Sequence, residues 1–289
     1  MKLSLGFSPC PNDTFIFDAL IHHKIDTEGL EFEVEYHDVE TLNQKAFNKE
    51  LAITKLSYHA FAYAVEDYEL LDAGSALGFG VGPLLITKNQ ELAEKLALYA
   101  GEKMPEEFKP LKVGIPGKYT TANFLLGLAF PDLKNKEILV FSDIESALLN
   151  GEIDLGLIIH ENRFTYQDKG LFKVVDLGDF WEKKTESPIP LGGIVIRRDL
   201  PQEIKEKVNL LIRQSVEYAF ANPKSGIDYI RSHAQEMEEA VMYNHIELYV
   251  NQYSVDLGEL GKKAITSMFD RAYQLNIVPK TEKNIFLKR

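Results

Sequence analysis

The chain has 289 residues, of which 45% are hydrophobic and 11% aromatic. This composition is typical of a globular protein with one large domain or two lobes of ordinary size, and it excludes a disordered or low-complexity chain. The formal net charge of −12 argues against nucleic acid and against an anionic membrane surface as the main partner. An anionic small ligand stays compatible with this charge, because local basic groups and helix ends set the field inside a cleft.

Cysteine usage and the first residues indicate the compartment. Cys10 is the only cysteine, so an intrachain disulfide is excluded. The apolar run before Pro9 is too short for the hydrophobic part of a secretory signal, and no later run is long enough to cross a bilayer. We therefore expect a cytoplasmic protein with no membrane association.

The first third of the chain alternates strands and helices. Apolar and acidic residues alternate over residues 30–36, which is the period of a half-exposed strand. The whole pattern predicts strands over 3–7, 30–36 and 51–54, and helices over 13–23, 41–48 and 57–65. This order of elements predicts an α/β protein with a mostly parallel sheet covered by helices.

The segment Ser-Pro-Cys-Pro-Asn-Asp-Thr-Phe at 8–15 joins the first strand to the first helix. Two prolines stop the strand, and Asn12 or Asp13 can cap a helix whose apolar face begins at Phe15. Helix N–H groups at the carboxyl end of a strand face the place where ligands bind in open α/β sheets. A proline-rich turn with an ordinary cap explains the same residues. Asn12 and Thr14 are therefore candidates either for ligand contact or for shaping the turn.

A glycine-rich segment at 77–83 separates this region from a second alternating unit. That unit has predicted helices over 91–99, 121–130 and 143–150, and predicted strands over 111–115, 137–141 and 153–159. The charged, proline-bearing segment 182–190 suits a return connection. A buried strand is predicted over 192–196, and helices from Pro201 to the end of the chain.

A weak internal repeat relates residues 47–53 to residues 149–155. In each copy a helix ends, an acidic residue follows and a buried strand begins, although any helix-to-strand turn can look like this. The repeat predicts two lobes built on one plan, with a ligand cleft between them. Lobe one comprises residues 1–87 and 190–289, and lobe two comprises residues 88–189. The glycine-rich segment and the Pro188–Pro190 segment are the predicted hinges.

His160 is the leading catalytic candidate. It follows the apolar run 155–159, so it lies at the carboxyl edge of a buried strand. Histidine titrates nearest to neutral pH and suits proton abstraction. Glu161 and Arg163 follow at once and could orient the ring or hold substrate oxygens. A hydrogen-bonded structural histidine at a strand end is the alternative.

Two further strand ends carry polar residues. Residues 118–123 follow the strand at 111–115, and their threonine hydroxyls and helix amides can bind a carboxylate. Capping by Thr120 or Thr121 explains them equally well. In lobe one, Lys55 can pair with a ligand carboxylate, and Ser57 can hydrogen-bond it or cap the next helix.

Motifs for cofactors are absent from the sequence. No Cys/His cluster has the spacing of a zinc site, and the glycines at 78, 80 and 82 are not followed by the Gly-Lys-Ser/Thr of a phosphate loop. We therefore expect no metal and no nucleotide cofactor. The oligomeric state is not predicted.

Five segments together resemble the 1,4-dihydroxy-6-naphthoate synthase family, which acts in the futalosine route to menaquinone. They are the segment at 8–15, Thr-Lys-Leu-Ser at 54–57, Gly-Phe-Gly-Val-Gly-Pro-Leu at 78–84, Tyr-Thr-Thr-Ala at 119–122 and Ile-His-Glu at 159–161. The resemblance covers essentially the whole chain. It implies a two-lobed fold like that of periplasmic solute-binding proteins of type II, used for catalysis.

The resemblance also implies an activity and a set of site residues. The expected reaction is the lyase conversion of cyclic dehypoxanthine futalosine, a small carboxylate, to 1,4-dihydroxy-6-naphthoate. His160 would be the proton acceptor. The residues implied to line the substrate site are Lys55, Leu56, Ser57, Thr121 and Ala122. Two alternatives stay open: a solute-binding protein for a small carboxylate, and the related chorismate dehydratase of the same pathway.

Overall fold

The computed structural model describes residues 1–234 and 238–288. The chain forms two compact units, one of Met1–Gly78 with Pro190–Arg289 and one of Phe79–Ile189. Residues 235–237 and 289, which fall within the predicted C-terminal helical region, lie outside the described residues. Residues 79–87 belong to the second unit, although the sequence analysis assigned them to the first lobe, because the strand at 84–87 pairs inside the second unit's sheet.

The first unit begins with alternating strands and helices, as predicted. Its N-terminal elements are β1 (Lys2–Phe7), α1 (Pro11–Ile21), β2 (Glu31–Tyr36), α2 (Val39–Phe47), β3 (Ile53–Ser57), α3 (Tyr58–Ala64), β4 (Tyr68–Leu70) and β5 (Ala76–Gly78). The short strands β4 and β5 were not predicted, because three residues carry too little periodicity to be recognised.

The second unit continues the alternation. Its elements are β6 (Leu84–Thr87), α4 (Gln90–Ala97), β7 (Val113–Ile115), α5 (Thr121–Ala129), β8 (Lys136–Ile138), α6 (Ile144–Asn150), β9 (Leu155–Ile158), α7 (Asn162–Thr165), β10 (Phe172–Asp176) and α8 (Leu177–Thr185). Single 3-10 turns occur at Glu106–Phe108, Phe141–Asp143 and Tyr166–Lys169. The predicted return connection over 182–190 is wrong in its first half, because Asp176 caps α8 through bonds from the N–H groups of Gly178 and Asp179.

The chain then returns to the first unit and completes it with helices. These elements are β11 (Ile189–Arg197), α9 (Gln202–Ala221), α10 (Ile227–His233), α11 (Glu239–Tyr249), α12 (Gln252–Val255) and α13 (Gly258–Gln274). Pro201 is the N-cap of α9, which confirms the predicted start. The prediction of helix to the end is wrong after Gln274, because residues 285–287 run along β4 and hydrogen-bond to Leu70.

Both sheets are mixed, so the prediction of a mostly parallel sheet is wrong. The first unit's sheet has the order β2-β1-β3-β11-β4, with β5 also paired to β11. Strands β1, β2 and β3 are parallel, but β11 returns antiparallel to both β3 and β4. The second unit's sheet has the order β10-β6-β9-β7-β8, in which only the β9-β7-β8 part is parallel.

Helix α1 lies in the core of the first unit and not on its surface. Every residue from Pro11 to Leu20 is buried, because α9, α10 and α11 pack around the helix. The helix begins two residues earlier than predicted, with Cys10 as an extended N-cap and Pro11 in the first turn. Proline is favoured at this position, since its fixed φ suits the helix and its missing N–H is not needed there. The expectation that Asn12 or Asp13 caps the helix is therefore wrong.

The two copies of the sequence repeat have the same backbone turn. Helix α2 ends with Lys49 in the left-handed region (φ 60°), and α6 ends with Gly151 in the same region (φ 76°). In each turn the next residue, Glu50 or Glu152, donates its N–H back to the carbonyl five residues earlier. This is the Schellman motif, which directs each helix into the following strand, β3 or β9.

Substituting the left-handed residue is expected to change the free energy of unfolding in opposite directions in the two turns. Gly151→Ala places a Cβ in the left-handed region and is expected to lower the free energy of unfolding by about 1 kcal/mol. Lys49→Gly removes the same strain and is expected to raise that free energy by up to about 1 kcal/mol. Urea unfolding of both variants and the parent measures the two shifts, and shifts of the same sign would contradict this account of the turns.

Candidate functional site

Lys55 and Ser57 lie on one face at the carboxyl end of β3. Side chains two residues apart in a strand point the same way, and Leu56 points to the opposite face. The sequence placed these residues after the strand, but β3 extends through Ser57 because Gly192 of β11 pairs with Ser57. Lys55, Leu56 and Ser57 are all buried. A buried ammonium and a buried hydroxyl therefore share one strand face.

The ammonium of Lys55 is held by groups of its own unit. It lies 2.8 Å from Oδ1 of Asp13 and donates a longer bond of 3.3 Å to the carbonyl of Gly74. An ammonium has three N–H donors, so one donor of Lys55 has no acceptor among residues 1–234 and 238–288. The sequence expected a ligand carboxylate as the partner of Lys55, whereas the structure places a carboxylate of the protein there already.

The hydroxyl of Ser57 makes no hydrogen bond with any residue that the structure describes. Ser57 is the N-cap residue of α3, but its side chain accepts no bond from that helix, so its predicted capping role is wrong. Its backbone N–H donates instead to Oδ1 of Asn43, a buried residue of α2. This bond fixes the end of β3 from the side, and it leaves the Ser57 hydroxyl available to a ligand.

Asn12 and Thr14 are both engaged within the first unit. Asn12 donates from Nδ2 to Oδ1 of Asp13 at 2.8 Å, and its Oδ1 lies 2.8 Å from Nε2 of His245. Thr14 donates from its hydroxyl to the carbonyls of Cys10 and Pro11. These contacts favour the turn-shaping interpretation of both residues.

Close approach of β11 to β3 depends on Gly192. A Cβ at Gly192 would lie 2.6 Å from the carbonyl oxygen of Leu56 and 3.6 Å from Cε of Lys55. The sequence analysis recognised residues 192–196 only as a buried strand. A glycine in a strand interior is the signal that could have indicated this backbone approach.

In the second unit, His160 occupies the turn between β9 and α7 with a left-handed backbone (φ 58°). A non-glycine residue in this region is uncommon, and histidine is among the residues that tolerate it best. The ring is half-buried, and it meets the ring of Phe141 edge to face, with 5.0 Å between centroids. The sequence-based placement of His160 just past a buried strand is correct, and the left-handed turn now sets the direction of its side chain.

The two residues singled out beside His160 differ in their surroundings. Glu161 is buried, whereas Arg163 is half-buried. Arg163 donates to the carbonyl of Gly82 and lies 2.8 Å from Oδ2 of Asp176. These contacts fasten α7 to the start of α8, and they account for the guanidinium without a substrate oxygen.

Thr120, and not Thr121, caps helix α5. Its hydroxyl accepts from the N–H of Asn123 at 3.2 Å and donates to the carbonyl of Gly117 at 2.9 Å. Thr121 and Ala122 are buried in the first turn of this helix. First-turn N–H groups have no acceptor within their own helix and carry the positive end of its dipole, which suits an anionic ligand.

Lys136 on β8 braces this first turn. Its ammonium donates to Oδ1 of Asn123 at 2.7 Å, and Asn123 donates in turn to the carbonyl of Lys118. Burial lowers the pKa of Lys136 to about 8, and the nearby charge of Lys134 acts in the same direction. The sequence analysis did not single out Lys136, since a lysine on a short edge strand reads as an exposed residue.

A family model described as menaquinone biosynthesis matches residues 3–274. The chain belongs to this family. It is 41% identical to the 1,4-dihydroxy-6-naphthoate synthase of Thermus thermophilus, over 99% of both chains. It is 37% identical to the protein of the same name from Streptomyces coelicolor, over 96% of this chain and 95% of the relative.

Solved structures show the fold of this family member. A protein from Archaeoglobus fulgidus has a TM-score of 0.85 and 34% identity, covering 96% of this chain and 98% of its own. The periplasmic aliphatic sulphonate binding protein of Escherichia coli has a TM-score of 0.63 and 12% identity, covering 96% of this chain and 89% of its own. The chain therefore has the predicted periplasmic-binding-protein-like fold. No helix in the described part of the chain combines the length and apolar character needed to span a bilayer.

The low pKa of Lys136 gives a pH-dependent prediction about stability. Burial disfavours the charged form of Lys136, so its charge lowers the free energy of unfolding below about pH 8. This cost declines as the pH rises from there toward 10.5, the pKa of an unperturbed lysine. Lys136→Met is therefore expected to be more stable than the parent at pH 7, with a smaller advantage at pH 10. Urea unfolding at both pH values measures this difference, with Lys173→Met, an exposed lysine on β10 at the other edge of the same sheet, as control. An advantage that grew with pH would contradict the prediction.

Proposed function

We propose that this protein converts cyclic dehypoxanthine futalosine into 1,4-dihydroxy-6-naphthoate, a lyase reaction of menaquinone biosynthesis. The observation that carries the proposal is the 41% identity, over 99% of both chains, with a protein named 1,4-dihydroxy-6-naphthoate synthase. A second relative of the same name and the family model support the same activity. A small carboxylate substrate and a cytoplasmic location are part of the proposal.

The proposal assigns a role to six of the candidate residues. His160 accepts a proton, and the substrate is bound by Lys55, Leu56 and Ser57 of the first unit together with Thr121 and Ala122 of the second. One N–H of Lys55 and the hydroxyl of Ser57 have no partner among the described residues, which supports binding of substrate oxygens at the end of β3. The first turn of α5 supports binding of a carboxylate. The ligand cleft expected between the two lobes stays a prediction.

The reaction needs a base, donors to an enolate and exclusion of water. His160 removes a proton from a carbon next to a carbonyl, and the electron pair of that C–H bond moves toward the carbonyl oxygen as an enolate. An elimination or a retro-aldol-like cleavage then breaks the bond to the sugar-derived fragment, which leaves, and aromatisation of the new ring drives the step. Donors already in place stabilise the enolate oxygen without reorganisation. These steps exchange no electrons with an outside reagent, so the proposal includes no redox cofactor.

Product analysis tests the function against its two alternatives. The purified protein is incubated with cyclic dehypoxanthine futalosine, and in a second reaction with chorismate, and the products are identified by mass spectrometry. We expect 1,4-dihydroxy-6-naphthoate in the first reaction and unchanged chorismate in the second. A solute-binding protein would return both compounds unchanged, and dehydration of chorismate would identify the other enzyme of the pathway.

His160→Asn tests the base with the least disturbance of the backbone. Asparagine tolerates the left-handed conformation that His160 adopts, so the turn is kept while the imidazole is lost. We expect kcat to fall by roughly 100-fold to 10,000-fold, while the Kd for substrate stays within about fivefold. Steady-state kinetics and calorimetric titration measure the two quantities. Full turnover in this variant would mean that another group accepts the proton.

Ser57→Ala tests the binding role of the β3 end. Because the hydroxyl has no partner within the described protein, its loss is expected to change the free energy of unfolding by less than about 0.5 kcal/mol. Loss of one hydrogen bond to the substrate is expected to raise KM about tenfold. Kinetics and urea unfolding of the same sample separate these effects. An unchanged KM together with a large loss of stability would show that Ser57 is structural.

A further inference from the structure

We propose that Asp13 and His245 are positioning residues of the substrate site, which hold the ammonium of Lys55 at the end of β3 with one N–H directed to the substrate. The role of these residues in the reaction rests on the function proposed above. The contacts that support a positioning role all lie within the first unit. Neither residue was among the substrate-binding candidates. His245 lies on α11, 233 residues beyond Asn12 in the chain.

The carboxylate of Asp13 is fully used by donors of the protein. Its Oδ1 accepts from Nζ of Lys55 and from Nδ2 of Asn12, each at 2.8 Å. Its Oδ2 accepts from the hydroxyl of Ser8 at 2.7 Å and from the N–H of Ser8 at 3.2 Å. A carboxylate offers about four lone-pair sites, so Asp13 keeps none for a ligand or a metal. Its task is to fix the ammonium of Lys55.

The direction of each hydrogen bond in this chain follows from Asp13. A carboxylate only accepts, so Asn12 must present Nδ2 to it, and Oδ1 of Asn12 then faces Nε2 of His245. His245 must therefore donate from Nε2. Without that donor the Asn12 amide can turn over, which would place its oxygen against the Asp13 carboxylate. His245 thus orients Asn12, Asn12 supports Asp13, and Asp13 holds Lys55.

Burial of these polar and charged groups costs folding free energy, and a role in substrate binding accounts for their presence. Lys55, Asp13 and Asn12 are each at least 94% buried, and His245 is completely buried. Buried ion pairs commonly add no stability over apolar residues of the same volume, whereas removing one partner costs several kcal/mol. An ammonium kept in such a place with one unused N–H is suited to a substrate carboxylate or carbonyl oxygen. The chain of bonds explains why it does not collapse onto another acceptor.

The same unit contains a matched control. Glu69 and Lys205 form a second buried carboxylate–ammonium pair, which links β4 to α9. Arg198 forms a further ion pair with Glu69. The ion pairs of Glu69 in the described part of the chain are with Lys205 and Arg198, neither of which is a candidate site residue. Glu69→Gln therefore reports the general effect of removing a buried carboxylate from this unit, and it is expected to lower stability while kcat/KM stays within about twofold of the parent.

A double-mutant cycle tests whether Asp13 acts through Lys55. We expect Asp13→Asn to lower kcat/KM about 100-fold, because small displacements of a binding group cost that much. Lys55→Met should lower it at least as far. The double variant should equal Lys55→Met within about twofold, since Asp13 has nothing left to position. Losses that multiply in the double variant would overturn the proposal.

His245 is tested by a conservative pair of variants and by a signal from Lys55 itself. His245→Leu removes the donor to Asn12, whereas a side-chain amide in His245→Gln can replace it. We expect His245→Leu to raise KM about tenfold and to shift the ¹⁵Nζ resonance of Lys55, assigned by its loss in Lys55→Met. His245→Gln should restore both. A role of His245 in packing alone would destabilise both variants and leave the Lys55 resonance in place, which would overturn the proposal.

The two proposals fail in different experiments. If the parent protein releases no 1,4-dihydroxy-6-naphthoate, the proposed function fails. The Lys55 resonance in the His245 and Asp13 variants then still decides whether the chain of bonds positions the ammonium, because this readout needs no turnover. A resonance that moves in His245→Leu and returns in His245→Gln supports positioning, and an unmoved resonance overturns it.

Discussion

The buried ion pair between Lys55 and Asp13 is the constraint around which the first unit is organised. Two opposite charges withdrawn from water need close contact and hydrogen bonds. The ammonium and the carboxylate lie 2.8 Å apart, and both oxygens of Asp13 accept two hydrogen bonds each. The groups that hold the pair come from the first turn of α1, the end of β3 and helix α11. Pro11 starts α1 early enough to place Asp13 in its first turn, and the carbonyl of Gly74 supplies the second acceptor for the ammonium. Contacts with other elements of the first unit therefore hold the polar end of β3 in place.

The second unit reaches a related arrangement by different means. Its strands β7 and β9 also end in polar turns, but no buried ammonium lies there among the residues described. A helix N-terminus capped by Thr120 follows β7, and a left-handed histidine follows β9. The first unit therefore contains a buried ammonium and a hydroxyl at a strand end, and the second unit contains a helix N-terminus and an imidazole at its own strand ends. These are the groups that the proposed proton abstraction and carboxylate binding require.

The sequence predicted the local features well and the long-range ones poorly. The alternation of strands and helices, the helix start after Pro201 and the position of His160 past a buried strand depend on neighbouring residues, and each is confirmed. Strand direction depends on pairing between distant segments, so the antiparallel return of β11 was missed. The same reason applies to the site. The residues next to Ser57 in the sequence favour a helix cap, but its hydroxyl makes no capping bond in the structure. The bond between Asn12 and His245 could not be predicted, because it joins residues 233 positions apart.

A crystal structure with 1,4-dihydroxy-6-naphthoate bound tests the central claim most directly. The account predicts an oxygen of this molecule within hydrogen-bond distance of both Nζ of Lys55 and the hydroxyl of Ser57, with the Lys55–Asp13 contact unbroken. An oxygen that displaced Asp13 from Lys55, or a molecule bound away from the end of β3, would contradict it.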